Sequence, residues 1–144
     1  MNLYKTYLSE IKNIVIKNDY FAKIGQKNVF KGVNLQNPPE KFDYDFSSNI
    51  AMVISKILNE NPKIISQKIK LLLLKQQKDF KVVDIAGPGF LNFKLTQEAW
   101  LKIIKSTFKS KNIFGSNKGN KKFNVEFVSA NPTGPMHVGH CRGA

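Results

Sequence analysis

The chain has 144 residues, with 23 Lys plus Arg against 10 Asp plus Glu, a net charge of +13. That length allows one domain with a real core, or a small domain plus part of another. The single cysteine excludes an internal disulfide and fits a reducing compartment, and no apolar run reaches membrane-spanning length, Leu71 to Leu74 being far too short.

The lysine excess favours a polyanionic partner, and a lysine-rich proteome accounts for part of it. Met1-Asn2-Leu3-Tyr4-Lys5 leads into a charged amphipathic stretch and not a signal peptide, so a cytoplasmic protein without a membrane partner is expected. Leu3, Tyr7, Leu8, Ile11, Ile14 and Val15 recur near the helical period and predict a first helix over Leu3 to Lys17, with Asn18 and Asp19 as breakers. Val29 to Leu35 alternates enough for a strand, which Pro38-Pro39 ends. Phe42 to Phe46 reads as a loop. Ser47-Ser48 then precede a buried-looking helix over Asn49 to Leu58, with a serine as its N-cap.

Asn61-Pro62 closes that helix and opens the next, since proline is well tolerated at a first helical position. Pro62 to Gln77 places Ile64, Ile65, Ile69, Leu72 and Leu73 on one side and lysines on the other. Lys81 to Ala86 and Phe90 to Leu95 read as two strands joined by the tight turn Gly87-Pro88-Gly89, the clearest hairpin in the chain. Thr96 caps a helix through Trp100, Leu101, Ile103, Ile104 and Phe108, and Glu98 suits the positive end of its dipole. Residues 114–122 have the composition of a linker.

Val125 to Val128 reads as a short strand, followed by the breakers Asn131-Pro132, Gly134 and Pro135 and then the opening of a helix. Such a strand–loop–helix unit is where ligands collect in α/β folds. Both histidines and the only cysteine lie within five positions here. If Val138 onward is helical, His137 and His140 share a face at a helix N-terminus, which attracts phosphate and where two imidazoles add donors beside a transferring phosphorus. Gly139 lacks a Cβ, so a flat ring can lie against the backbone, and Pro132 and Pro135 stiffen the approach. A zinc site made from His137, His140 and Cys141 lacks a fourth ligand, since no second Cys or His cluster exists, and no metal is expected.

His-Val-Gly-His resembles the HIGH signature of class I aminoacyl-tRNA synthetases, with Val138 in place of Ile. The longer string from Glu126 through Ser129-Ala130-Asn131-Pro132-Thr133-Gly134-Pro135-Met136 to His140 resembles arginyl-tRNA synthetases of bacterial type. Asp45-Phe46-Ser47-Ser48-Asn49-Ile50-Ala51-Met52 is similar to that family's Gly-Asp-x-x-x-Asn-x-Ala-Met string, and Ile85 to Phe93 is similar to the hairpin of its added N-terminal domain. Departures are Tyr44 where the family usually has Gly, and Met136 and Cys141 where other residues are common.

The resemblance implies an α+β N-terminal domain over residues 1–112, a small sheet with a hairpin packed by helices. A linker over 113–121 follows, and 122–144 begins an α/β Rossmann-type catalytic domain. It implies that His137, Gly139 and His140 bind ATP, with the two histidines catalytic and Gly139 letting adenine stack. Glu126, Ser129, Asn131 and His137 would bind arginine. Phe90 and Asn92 would contact tRNA, an aromatic on which a splayed base stacks and an amide that reads its edge. The alternative for Phe90 and Phe93 is a place in the core, which suits Phe93 better.

The implied partners are arginine, its tRNA(Arg) and ATP with Mg2+, in a full-length protein that is a monomer. The second class I signature is absent from these 144 residues, so the chain is expected to be an N-terminal portion that completes no active site by itself. A stand-alone RNA-binding module is the competing reading, and a reading frame running on past Ala144 separates the two.

Overall fold

The computed structural model describes residues 2–22, 24, 30–39, 42–110, 122–125, 134–135 and 137–141. It begins with helix α1, Leu3–Ile16, and a single-turn helix α2, Asp19–Ala22. In α1 the Asn2 side chain accepts the Lys5 N–H at 3.1 Å, and Tyr7, Ile11 and Val15, four apart, form its buried stripe. Asn18 ends α1 as expected. Asp19 does not act as a breaker: the Asn18 side chain accepts the Tyr20 N–H at 3.2 Å, and Asp19 opens α2, where a negative charge suits the helix start.

Strand β1 is only Leu35–Gln36, which corrects the strand expected over Val29 to Leu35. Residues 30–32 are a turn instead, closed by the Val33 N–H on the Phe30 carbonyl at 3.1 Å, with Gly32 at φ +84°. Val29 lies outside the described residues. Strand β2, Phe46–Ser48, replaces the end of the expected loop and the expected cap. Asn49 occupies the cap position of helix α3, Ile50–Leu58, but turns its side chain sideways: it accepts the Asn34 N–H and donates to the Gly32 carbonyl, both at 2.9 Å. Ser48 still serves the helix start, since its hydroxyl oxygen accepts the Ile50 N–H at 3.2 Å while donating to the Asn34 carbonyl at 2.7 Å.

Asn59 closes α3 in the left-handed region, and Asn61 caps α4, Pro62–Gln76, by accepting the Lys63 N–H at 2.9 Å. The inner stripe of α4 is Ile65, Ser66, Ile69 and Leu73; Ile64, expected on that side, is 52% exposed. Strands β3, Phe80–Ala86, and β4, Phe90–Leu95, form the expected hairpin, and the sheet runs β1-β2-β4-β3, antiparallel throughout. Its turn is fastened to α4: the Ser66 hydroxyl lies 3.1 Å from the Gly89 carbonyl and 2.6 Å from that of Pro62.

The core gathers Tyr7, Phe46, Phe80 and Phe93 with ring centroids 4.9–5.7 Å apart, a spacing suited to aromatic contact. Phe93 is therefore a core residue, as expected. Helix α5, Gln97–Ser110, starts where Thr96 accepts the Ala99 N–H at 3.1 Å. Ala99 is its buried contact, and Trp100, Leu101, Ile104 and Phe108 are exposed among the described residues. Residues 122–125 are exposed and carry no regular structure, so Val125 is not in the expected strand; 126–128 and the linker over 113–121 lie outside the described residues. Helix α6, Val138–Cys141, begins where a helix was expected. Among the described residues no helix is long and apolar enough to cross a membrane.

Candidate functional site

Register decides which side chains share a face of the sheet. Gln36 pairs with Ser47, Ser47 with Asn92, and Asn92 with Asp84, so these four stand in one row across the four strands. Phe90, two residues from Asn92, points the same way. Leu35, Phe46, Leu91, Phe93 and Val83 take the opposite side and are buried in the core. The sheet thus turns an apolar face to the core and carries this polar row, with Phe90, on its other side.

Phe90 is half-buried in the wall of a cavity of about 240 Å³, with Asn34 and Gln36 from the β1 segment, Asn49, and Met52, Val53 and Lys56 from α3. This supplies a ring, amide groups and a cation in one place. Asn49 takes part through structure, because both ends of its amide are spent on backbone groups. Gln36 and Lys56 are exposed, and Lys56 has no ion pair among the described residues. Asn34, Gln36 and Lys56 were missed in the sequence. The available signal was the alternation Asn34-Leu35-Gln36, which puts both amides opposite a buried leucine.

Asn92 is 4% exposed and is not among the residues that line this cavity. Tyr44, just before β2, donates its hydroxyl to Asp84 of β3 at 2.9 Å. Since β4 lies between β2 and β3, the Tyr44 side chain spans β4 on its way to the cross-strand partner of Asn92. Lys70 of α4 donates to the same carboxylate at 3.1 Å. The hydrogen bonds from Lys70 and Tyr44 hold the Asp84 carboxyl below the usual aspartate range, and the bond to Asp84 pushes the Tyr44 phenol up.

Asp45 has a structural task. Its carboxylate accepts the Leu95 N–H at 2.7 Å while its own N–H donates to the Phe93 carbonyl at 2.8 Å, which locks the entry of β2 onto β4.

In the terminal loop His137 is exposed, and its Nδ1 accepts the Gly139 N–H at 3.1 Å. That bond leaves the proton of the neutral ring on Nε2. A Cβ on residue 139 would sit 2.9 Å from Cε1 and 3.0 Å from Nδ1 of His137, so the ring occupies the place that only glycine leaves open. Glu126, Ser129, Asn131 and the His140 side chain lie outside the described residues. Among the described residues no group of three His, Cys, Asp or Glu is placed to hold a metal ion.

A second polar cluster joins α1, the turn between α4 and β3, and α5. Asp79 accepts from the Tyr7 hydroxyl at 3.1 Å and from Lys102 at 3.0 Å, and Gln77 donates to Glu10 beside a cavity of about 190 Å³. Burial, then repulsion from Asp79, raises the Glu10 carboxyl above the usual glutamate range, and burial also raises the Tyr7 phenol. Two carboxylates here repel an anion.

A family model described as the arginyl tRNA synthetase N terminal domain matches residues 6–95. The chain is 41% identical over 147 residues to the arginine–tRNA ligase of Bartonella quintana, and 38% identical over 146 residues to those of Bartonella bacilliformis and Pelagibacter ubique. Each alignment covers 100% of this chain and 25% of the relative, so the chain spans a quarter of the length of these relatives.

Proposed function

The chain belongs to the arginyl-tRNA synthetase family, and from that premise we propose that it contributes the tRNA-contacting domain and the first nucleotide-binding loop of an arginine–tRNA ligase. The reaction is ATP-dependent activation of arginine to arginyl-adenylate, followed by transfer of the arginyl group to tRNA(Arg). Residues 1–112 form the tRNA-contacting domain, 113–121 the linker, and 122–144 the start of a Rossmann-type catalytic domain. The protein is a cytoplasmic monomer at full length. The observation that carries the tRNA role is the half-buried Phe90 in a cavity that also holds amides and Lys56 but no carboxylate. An aromatic platform next to a cation suits an unpaired base with its phosphate.

In the terminal loop the residues take these roles. His137, with its proton on Nε2, donates toward the α-phosphate, and His140 adds a second donor as negative charge develops there. Mg2+ enters bound to the phosphates of ATP and offsets their charge. Gly139 leaves room for adenine when the His137 ring moves to its substrate. Glu126 complements the arginine cation, with Ser129, Asn131 and His137 around the amino acid.

The test is aminoacylation by the full-length enzyme. His140→Ala should lower kcat at least tenfold with tRNA binding little changed, since one lost donor at such a site costs about 2.7–4 kcal/mol. Near-wild-type turnover overturns the assignment. A stand-alone RNA-binding module is the second reading, favoured by a core that closes within residues 7–99; it expects RNA binding without aminoacylation by any longer product of the gene.

A further inference from the structure

We propose that the outer face of α4 docks an acidic amphipathic helix of a separate protein. This face is distinct from the polar row of the sheet, and its role does not rest on the RNA-contacting one.

Helix α4 carries two stripes. The inner one, Ile65, Ser66, Ile69 and Leu73, is buried in the core. On the outside Ile64, Gln67, Leu71 and Leu74 stand exposed at spacings of three, four and three. Ile64 is 52% exposed, Leu71 60% and Leu74 42%. That spacing is the seam of a coiled coil, with Ile64 and Leu71 at a positions and Gln67 and Leu74 at d positions. The core is closed without these side chains, so their burial is left for a partner to complete.

The flanking positions choose that partner. In the same frame Lys68 and Lys75 fall at e and Lys63 and Lys70 at g, and α4 contains no acidic residue. Lys70 bonds Asp84 at 3.1 Å and Lys68 lies 3.9 Å from Glu60, while Lys63 and Lys75 have no ion pair among the described residues. A second copy of this helix would set lysine against lysine, so like charges disfavour self-pairing. A helix with Glu on both sides of its own apolar seam complements both rows.

The e side of the seam opens into a hollow of about 390 Å³, where Tyr20 and Phe21 of α2 face Leu71 and Leu72 of α4, with Lys68 and Lys75. Tyr20 is held in place: its hydroxyl donates to Glu60 at 2.5 Å, and the Lys68 ammonium lies 3.4 Å from its ring centroid. A hollow suits a protruding side chain of a second helix better than a lipid surface, and a phosphate backbone gains nothing from Ile64 or Leu71. The source is a separate protein because the chain leaves α5 toward residues 111–144, and α5 has its own exposed apolar residues Trp100, Leu101, Ile104 and Phe108 beside that path. Helix α4 packs instead on α1, α3, β3 and β4.

The experiment titrates the whole chain and the full-length enzyme with a synthetic three-heptad peptide carrying Leu at a and d and Glu at e and g, followed by fluorescence anisotropy at low and high salt. Two control peptides carry Lys at e and g, or the same residues scrambled. The acidic peptide should bind both proteins and the controls neither. Leu71→Gln and Ile64→Gln should each weaken binding about tenfold at both salt concentrations. Lys63→Gln with Lys75→Gln should weaken it about threefold at low salt and have no effect at high salt. Leu101→Gln on α5 and Lys81→Gln on β3 should change nothing. All these positions are exposed, so the variants should keep the wild-type unfolding midpoint. The proposal is overturned if the acidic peptide does not bind this chain, or if Leu71→Gln and Ile64→Gln bind it as wild type does. Binding to this chain but not to the full-length enzyme overturns it too, since the rest of the enzyme then covers the face. So does a Leu71-dependent affinity for phosphatidylglycerol vesicles without affinity for the peptide, which would make the face a lipid contact.

Discussion

Gly89 offers the sharpest test of how the hairpin is mounted. Its φ is +137°, and a Cβ there would lie 2.9 Å from the Ser66 hydroxyl oxygen, 3.1 Å from Pro62 Cβ and 3.3 Å from the Pro62 carbonyl. Gly87, in the same turn, has φ +53° with nothing within 4 Å of the added atom. The two glycines therefore separate backbone strain from contact. Gly87→Ala should cost about 1–2 kcal/mol, the left-handed penalty alone. Gly89→Ala adopts a conformation nearly confined to glycine, about 1–3 kcal/mol, and must also push α4 and the turn apart, about 1–3 kcal/mol more. A total of about 2–6 kcal/mol in a domain of this size lowers Tm by roughly 8 °C or more. The assay is paired urea and thermal unfolding of wild type and both variants. If Gly89→Ala is no more destabilising than Gly87→Ala, the turn is not held against α4, and the placement of Phe90 in its cavity loses its support.

Two further outcomes follow from the polar contacts. Asn49→Ala should destabilise by about 2 kcal/mol, because two backbone groups of the β1 segment lose their partners, and neither Ser nor Asp restores both bonds; denaturant midpoints check this. Glu10→Gln should raise stability at neutral pH: the carboxyl is raised in the folded state, so its contribution is full below the unfolded pKa and is lost as pH rises through the folded one. The variant should flatten the Tm profile from the ordinary glutamate range upward, and an unchanged profile would show that burial and Asp79 exert no effect on Glu10.

Much of the fold was legible because its signals are local. Tyr7, Ile11 and Val15 four apart mark α1, and Asn61-Pro62 marks the start of α4. Alternation on both sides of Gly87-Pro88-Gly89 marks the hairpin. Strands β1 and β2 have two and three residues, too few to show a period, and exist because β2 pairs with β4 some 45 positions away, Phe46 with Phe93 and Ser48 with Leu91. Asn49 reads as an ordinary helix opener, and only the fold reveals that its amide is spent on the β1 loop. At the candidate site, the place of Phe90 beside the turn was legible. The Tyr44–Asp84 hydrogen bond was not, because its partners lie forty residues apart. Gln36 and Lys56 belong to separate elements that meet only after the sheet has formed.

Electrostatics then decides among the hollows on this surface. The one between α1 and α5 is lined by Glu10 and Asp79, and burial, then repulsion from Asp79, raises the Glu10 carboxyl, so a phosphate is unwelcome there despite Lys102. The groove along α5, lined by Lys102, Lys105 and Lys109 with Ser106 and Ser110, has charge but no ring on which a base could stack, and would bind a backbone without regard to its bases. The cavity beside Phe90 joins an aromatic wall, amide groups and a cation without a carboxylate, and so does the hollow lined by Asn18, Tyr20, Phe21, Lys68 and Lys75. A net charge of +13 favours polyanions over the whole molecule, but it does not choose a place. The choice falls to short-range contacts.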